Sequence, residues 1–138
     1  MTEWEQQFLS AQRVARLATV DERGHPHVLP IVYALVGDAL VTPLDAKPKR
    51  VAALELRRVR NIQANPQVAV VVDMYDEDWD RLAWLQIRGR AALLLAGPEY
   101  DAGIAALAQR YPQYATRPLS GRPLIGISID STRSWRAR

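Results

Sequence analysis

The chain of 138 residues contains no cysteine, which excludes disulfides, thiolate metal sites and a cysteine nucleophile. Histidine is nearly as scarce. His25 and His27 would share a face of a strand, but no third ligand accompanies them, so an exposed turn flank accounts for them better than a metal site. Long apolar runs are missing as well. No stretch approaches the roughly 20 residues that cross a bilayer, and the start MTEWEQQFLSAQR lacks the basic head and apolar run of a signal peptide. A soluble, cytoplasmic protein is the expectation. No Walker loop, nucleophile elbow or GxGxxG element occurs. Any redox chemistry would then be carried by a bound cofactor, with the protein supplying orientation and electrostatics.

What is present is globular: 49% of residues are hydrophobic and 24% charged, as in a single domain, residues 1–138, with one core. The net charge of +3 is unevenly spread. Lys47, Lys49, Arg50, Arg57, Arg58 and Arg60 crowd one segment with Glu55 as its only acid, whereas Asp73, Asp76, Glu77, Asp78 and Asp80 gather just beyond it. The acidic set lacks the spacing and central glycine of an EF-hand and reads as a solvated hairpin loop. The basic block calls for an anion. A helix beginning near Pro48 would set its unpaired N–H groups and positive dipole end beside those side chains and hold a phosphate; a solvated basic face is the alternative. Nucleic acid is disfavoured, because no aromatic residue interleaves with VAALELRRVRN.

The pattern predicts a helix over residues 3–11, capped by Thr2 with Glu5 three positions on. A β-meander follows over 13–20, 27–36 and 39–43, with turns at Gly24 and at Gly37-Asp38. Pro30 interrupts the second strand, which must there be an edge, a bulge, or a place where something other than a strand lies alongside. Asn65-Pro66 stops the basic helix, and the apolar run 67–75 is expected to be the most buried strand. Over 82–96, alternation separates Ala83, Leu85, Ile87, Gly89 and Ala91, an inner set, from Trp84, Gln86, Arg88 and Arg90, a mixed face that suits a ligand or a subunit partner. A helix runs from Gly97-Pro98 to about Arg110. After a loop with three prolines, residues 124–130 make a last strand with Ile125, Ile127 and Ile129 inside. About six antiparallel strands with two or three short helices imply a mainly β fold, a closed or partly closed barrel.

The order of a meander with a proline in its second strand, ALVTPL, RNIQANP, an apolar strand and WLQIRGRA resembles the pyridoxamine-phosphate-oxidase-like split β-barrel family. The order KPK, LRRVRNI, NP, DEDW, then YPQY and a late tryptophan, resembles the branch of that family that uses the deazaflavin coenzyme F420. The resemblance implies a homodimer with the flavin or deazaflavin in a groove between subunits. It places Arg57 and Arg58 on the cofactor phosphate, helped by Lys47 and Lys49 on a loop longer than in the shortest members. Pro30, Ile31 and Val32 would pass along the ring, and Thr42, Trp84 and Gln86 would complete the groove. The implied activity is hydride transfer from reduced F420 to a small, planar, electron-poor organic acceptor, with no general acid assigned. FMN in the same fold, or a non-catalytic carrier of either cofactor, are the alternatives. The C-terminal substrate-binding tail of true pyridoxamine phosphate oxidases has no counterpart here, so vitamin B6 oxidation is not expected.

Overall fold

A computed structural model of the chain describes residues 1–44 and 56–137. The expected helix start near Pro48, and with it Lys47, Lys49 and Arg50, lies outside the described residues. The elements are α1 (Glu3–Ala11), β1 (Ala15–Val20), β2 (Pro26–Ile31), β3 (Ala34–Val36), β4 (Ala39–Pro43), α2 (Arg57–Ala64), β5 (Gln67–Met74), β6 (Ala83–Leu94), α3 (Pro98–Arg110) and β7 (Leu124–Arg136), with short 3-10 turns at Trp79–Arg81 and Pro112–Ala115. No described helix is long and apolar enough to cross a membrane.

The seven strands form one antiparallel sheet in the order β2-β1-β5-β6-β7-β4-β3. Its two end strands, β2 and β3, are consecutive in the chain and separated only by Val32 and Tyr33. The sheet therefore rolls into a barrel whose last gap is crossed by covalent chain rather than by a ladder. This corrects the expected single strand 27–36. Pro30 has no N–H for a ladder bond, and the segment changes partner there, from β1 up to Ile31 to β4 from Ala34 onward. Seven strands result where about six were expected.

Two further expectations change for physical reasons. The last strand runs on to Arg136 because β7 carries an extra residue, Asp130, opposite the Arg88/Gly89 step of β6. That bulge reverses which side chains face inward. Ile125, Ile127 and Ile129 face the core before it, and Thr132 and Ser134 come to the inner side after it, opposite Ile87 and Leu85. The continuation reads as polar in the sequence because what it meets is a carboxylate: Glu5 of α1 is buried and accepts from Thr132 Oγ1 at 3.1 Å. The most buried strand is β4 rather than β5. Leu40, Val41, Thr42 and Pro43 are all buried, since α3 covers the outside of β3 and β4, whereas Ala69 and Val71 of β5 stay half-exposed.

Leu17, Val70, Val72, Leu85, Ile87, Ile125 and Ile127 fill the barrel, closed at its ends by Phe8 and Leu9 of α1 and by Val59 and Ile62 of α2. A second cluster, including Val41, Tyr100, Leu107, Tyr111 and Leu124, binds α3 to the barrel wall. The capping box of α1 forms as expected, Thr2 Oγ1 accepting from Glu5 N–H at 3.1 Å and Glu5 Oε1 from Thr2 N–H at 3.0 Å.

Burial pushes the Glu5 carboxyl up, but the Thr2 N–H and the Ser134 and Thr132 hydroxyls together hold it below its ordinary value of 4.5. Its contribution is thus present above that value and lost as the pH falls through the lower folded value. Glu5→Gln is expected to cost about 1–2 kcal/mol in denaturant unfolding at neutral pH, a difference that shrinks as the pH falls through the lowered folded-state value. At the bulge, a side chain on Gly89 would collide with the Ser128 carbonyl oxygen and crowd Ile127. Gly89→Ala is expected to lower the unfolding free energy by about 1–3 kcal/mol.

Candidate functional site

The place where the barrel closes is held by a compact polar node. The backbone of Tyr33 has left β2 and not yet joined β3, so its N–H and C=O need other partners. One hydroxyl serves both: Tyr111 Oη accepts from Tyr33 N–H at 3.1 Å and shares its single proton between the carbonyl oxygens of Tyr33 and Arg13, each 2.9 Å away. The Tyr33 side chain is buried, and its hydroxyl donates to the Leu9 carbonyl at 2.5 Å. Burial pushes that phenol up to about 12, so it remains a donor at every ordinary pH. Arg110 packs its guanidinium over the Tyr33 ring at 4.9 Å and donates to the Ser10 carbonyl at 2.8 Å and to that of Gln12. In this way the end of α3 caps the end of α1.

Beside this node opens a cleft of about 580 Å³, a volume suited to a small organic molecule. The crossing segment supplies Pro30, Ile31 and Val32, with Val14 ahead of β1. The end of β4 supplies Thr42, Pro43 and Leu44, and α2 supplies Arg58. The chain after α3 supplies Gln113, Tyr114, Arg117, Leu119 and Arg122. Three arginines and, among the described residues, no carboxylate line it, so the described lining is positive. Thr42 is 1% exposed, and its hydroxyl has no hydrogen-bond partner among the described residues. A buried hydroxyl left this way costs free energy unless something else bonds it.

The helical period explains how α2 delivers one arginine and not its neighbour. Val59 and Ile62 pack into the core, and Arg58 and Asn61 flank them three residues apart; Asn61 Nδ2 donates to Thr19 Oγ1 on β1 at 2.9 Å. Arg58, only 7% exposed, is thereby turned to the cleft, while Arg57 and Arg60 are exposed and do not line it.

Of the residues singled out from the sequence, Pro30, Ile31, Val32, Thr42 and Arg58 are brought together here. Lys47 and Lys49 lie outside the described residues. Trp84 and Gln86 are elsewhere on the same chain, on the outer face of β6. Gln86 lines a shallow polar depression of about 410 Å³ with Arg88, Ser131, Thr132 and Arg133, and Trp84 stands opposite Trp135. One row across the sheet runs Pro30, Arg16, Val71, Gln86, Arg133. Gln86 is thus three strands from Pro30, about 14 Å at the usual strand spacing. The acidic residues after β5 stay on the surface, where Asp76 pairs with Arg81 at 3.6 Å. His25 is exposed beside Asp21 at 3.1 Å, and no group of three His, Asp or Glu among the described residues is arranged to hold a metal.

Tyr111, Gln113, Tyr114, Arg117 and Arg122 were not legible as site residues. The segment reads as a proline-punctuated loop; YPQY at 111–114 entered the family resemblance without a site role, and the two arginines around Leu119 were the signal left unused.

Residues 1–136 match the sequence model of the family described as pyridoxamine 5'-phosphate oxidase. No curated protein sequence matches the chain. Among solved structures, a conserved hypothetical protein of Mycobacterium tuberculosis superposes with a TM-score of 0.74 at 22% identity, covering 100% of this chain and 86% of that one. The heme storage protein HutZ of Vibrio cholerae gives a TM-score of 0.74 at 18% identity over 97% of this chain and 93% of its own. A FAD-binding protein of Mesorhizobium loti gives 0.64 at 22% identity over 97% and 94%. These likenesses establish the fold.

Because the Thr42 hydroxyl has no described partner to lose, Thr42→Val is expected to leave the ligand-free protein as stable or to raise its unfolding free energy by about 1 kcal/mol. Chemical denaturation of the two proteins side by side measures this.

Proposed function

The chain belongs to the pyridoxamine 5'-phosphate oxidase family, and from that premise we propose that its cleft holds coenzyme F420 and that the protein is an F420-dependent reductase of a small, planar organic acceptor. The observation that carries this reading is the convergence in one cleft of a buried arginine, a buried hydroxyl without a described partner, and the apolar crossing segment.

The residues fit such a group. Arg58 offers a planar fork to a phosphate, Thr42 Oγ1 has hydrogen-bonding capacity left over inside the barrel wall, and Pro30, Ile31 and Val32 present a wall on which a flat ring can lie. When bound and reduced, the deazaflavin supplies a hydride. The chain's part is to bind, orient and exclude water. Pro30 cannot donate to a ladder, so its backbone at the cleft rim leaves room for a ligand rather than a further strand. Leu44 and Leu119 add apolar surface to the cleft lining. No described carboxylic acid lines the cleft, and no general acid is assigned; solvent can supply the proton that completes reduction of the acceptor.

The reading includes a homodimer. The outer face of β6 and β7 exposes Trp84 at 38% and Trp135 at 45%, next to Gln86 and Arg133, and Val28 of β2 is exposed on the same sheet. This face is continuous with the cleft through the row that begins at Pro30. Trp84 and Gln86, too far across the sheet to serve the cleft of their own subunit, would close that of the partner.

Titration with F420 and, separately, with FMN, followed by ligand fluorescence, tests the assignment. Micromolar or tighter binding of F420 and much weaker binding of FMN is expected, with Arg58→Gln weakening F420 at least about tenfold, or ~1.4 kcal/mol, while the variant keeps the wild-type circular dichroism spectrum. Tighter binding of FMN would make this a flavin enzyme. The solved neighbours include a heme storage protein, and a sharp Soret band on titration with hemin, with neither flavin nor deazaflavin bound, would overturn both.

A further inference from the structure

Arg58 accounts for one anion, yet the cleft contains two more guanidinium groups. Arg117 and Arg122 come from a different element, the loop between α3 and β7. No ion pair or side-chain hydrogen bond ties either of them to a described residue, and no carboxylate of a described residue lines the cleft. The loop that carries them is nevertheless fixed. Leu119 is buried against the α3 cluster, Arg122 N–H donates to the Leu119 carbonyl at 3.0 Å, and Tyr100 Oη on α3 donates to the Arg122 carbonyl at 2.8 Å. Gly121, at φ +81, makes the tight reversal between them.

Two cations at one cleft, on a main chain pinned at Leu119 and Arg122, suit an anion: the backbone has little freedom left to lose on binding, and a negative charge offsets the positive charge they bring to the cleft. We propose that Arg117 and Arg122 form an anion subsite separate from Arg58, and that it selects acceptors bearing a carboxylate. This rests on the reading of the cleft as a cofactor and acceptor site. It narrows the substrate class to planar organic acids and makes the two arginines specificity residues. Gln113 and Tyr114, from the same stretch, add neutral polar groups beside them.

The test uses benzoate and benzamide, planar probes of one shape that differ in charge, titrated calorimetrically into the full chain with and without saturating F420. Wild-type protein is expected to bind benzoate at least about tenfold tighter than benzamide. Arg117→Gln/Arg122→Gln is expected to abolish that preference while F420 affinity stays within about twofold. Arg58→Gln should do the reverse. Exposed Arg117→Gln alone, which removes no described contact, should give an intermediate loss and guards against a folding defect in the double variant. Equal binding of the two probes by wild type, or a preference that survives the double variant, would overturn the subsite. So would a tenfold loss of F420 affinity in the double variant, which would give these arginines to the anionic groups of the cofactor. Failure of the F420 assignment itself shows separately, as absence of F420 binding to wild type whatever the probes do.

Discussion

The barrel depends on one hydroxyl. Where the chain crosses from the β1 edge to the β4 edge, neither ladder satisfies the backbone of Tyr33, and Tyr111 Oη answers both its N–H and its carbonyl. Without that partner the crossing would bury an unpaired amide, at a cost comparable to a lost hydrogen bond. Arg110 and Arg13 stack on the same pair of rings, so the ends of α1 and α3 are tied to the crossing rather than merely packed near it. The cleft borders this node, and the rigidity of its Pro30 to Val32 wall is inherited from it.

The same region gathers positive charge beside an unanswered hydroxyl. Thr42 keeps a buried hydroxyl without a described partner, and Arg117 and Arg122 share the cleft with Arg58 where no described carboxylate lines it. Neither feature helps the protein fold. Such local costs persist where the surrounding structure over-determines them, and they concentrate at places built to receive something else. Here the surroundings are well able to do so, since β4 is buried along four consecutive residues and the arginine loop is anchored by Leu119 and Tyr100.

Much of this was legible in the sequence, and what was not has identifiable causes. Period-two alternation in β6 told inner from outer residues correctly because both its faces have constant surroundings. It failed for β7, where one extra residue at Asp130 reverses the faces and a buried Glu5 makes threonine and serine the right inner residues. Pro30 marked an irregularity, but a change of partner strand is a tertiary event that no local pattern encodes. Pro30, Ile31, Val32, Thr42 and Arg58, which the family resemblance singled out, meet at one cleft. Arg57 and Arg58 are indistinguishable as a dipeptide, and it took the positions of Val59 and Ile62 to turn only the second towards the cleft. Arg117 and Arg122 escaped notice because their meaning comes from Leu119 and from a tyrosine hydroxyl on another element.

Most pairings in this sheet are between neighbours in sequence: β1 with β2, β3 with β4, and β5 through β7 as a continuous meander. Among the described residues only two seams join distant parts of the chain, β1 to β5 and β4 to β7. Three locally paired pieces are therefore held together by two stitches, and both stitches require the entropy of a long loop to be lost before any contact offsets it. Local pieces can form early and independently, but a barrel with a cleft exists only once the second stitch, between Ala39–Pro43 and Leu124–Ser128, is in place. Folding and acquisition of the ligand site are on this account one event, since Thr42 lies within that stitch.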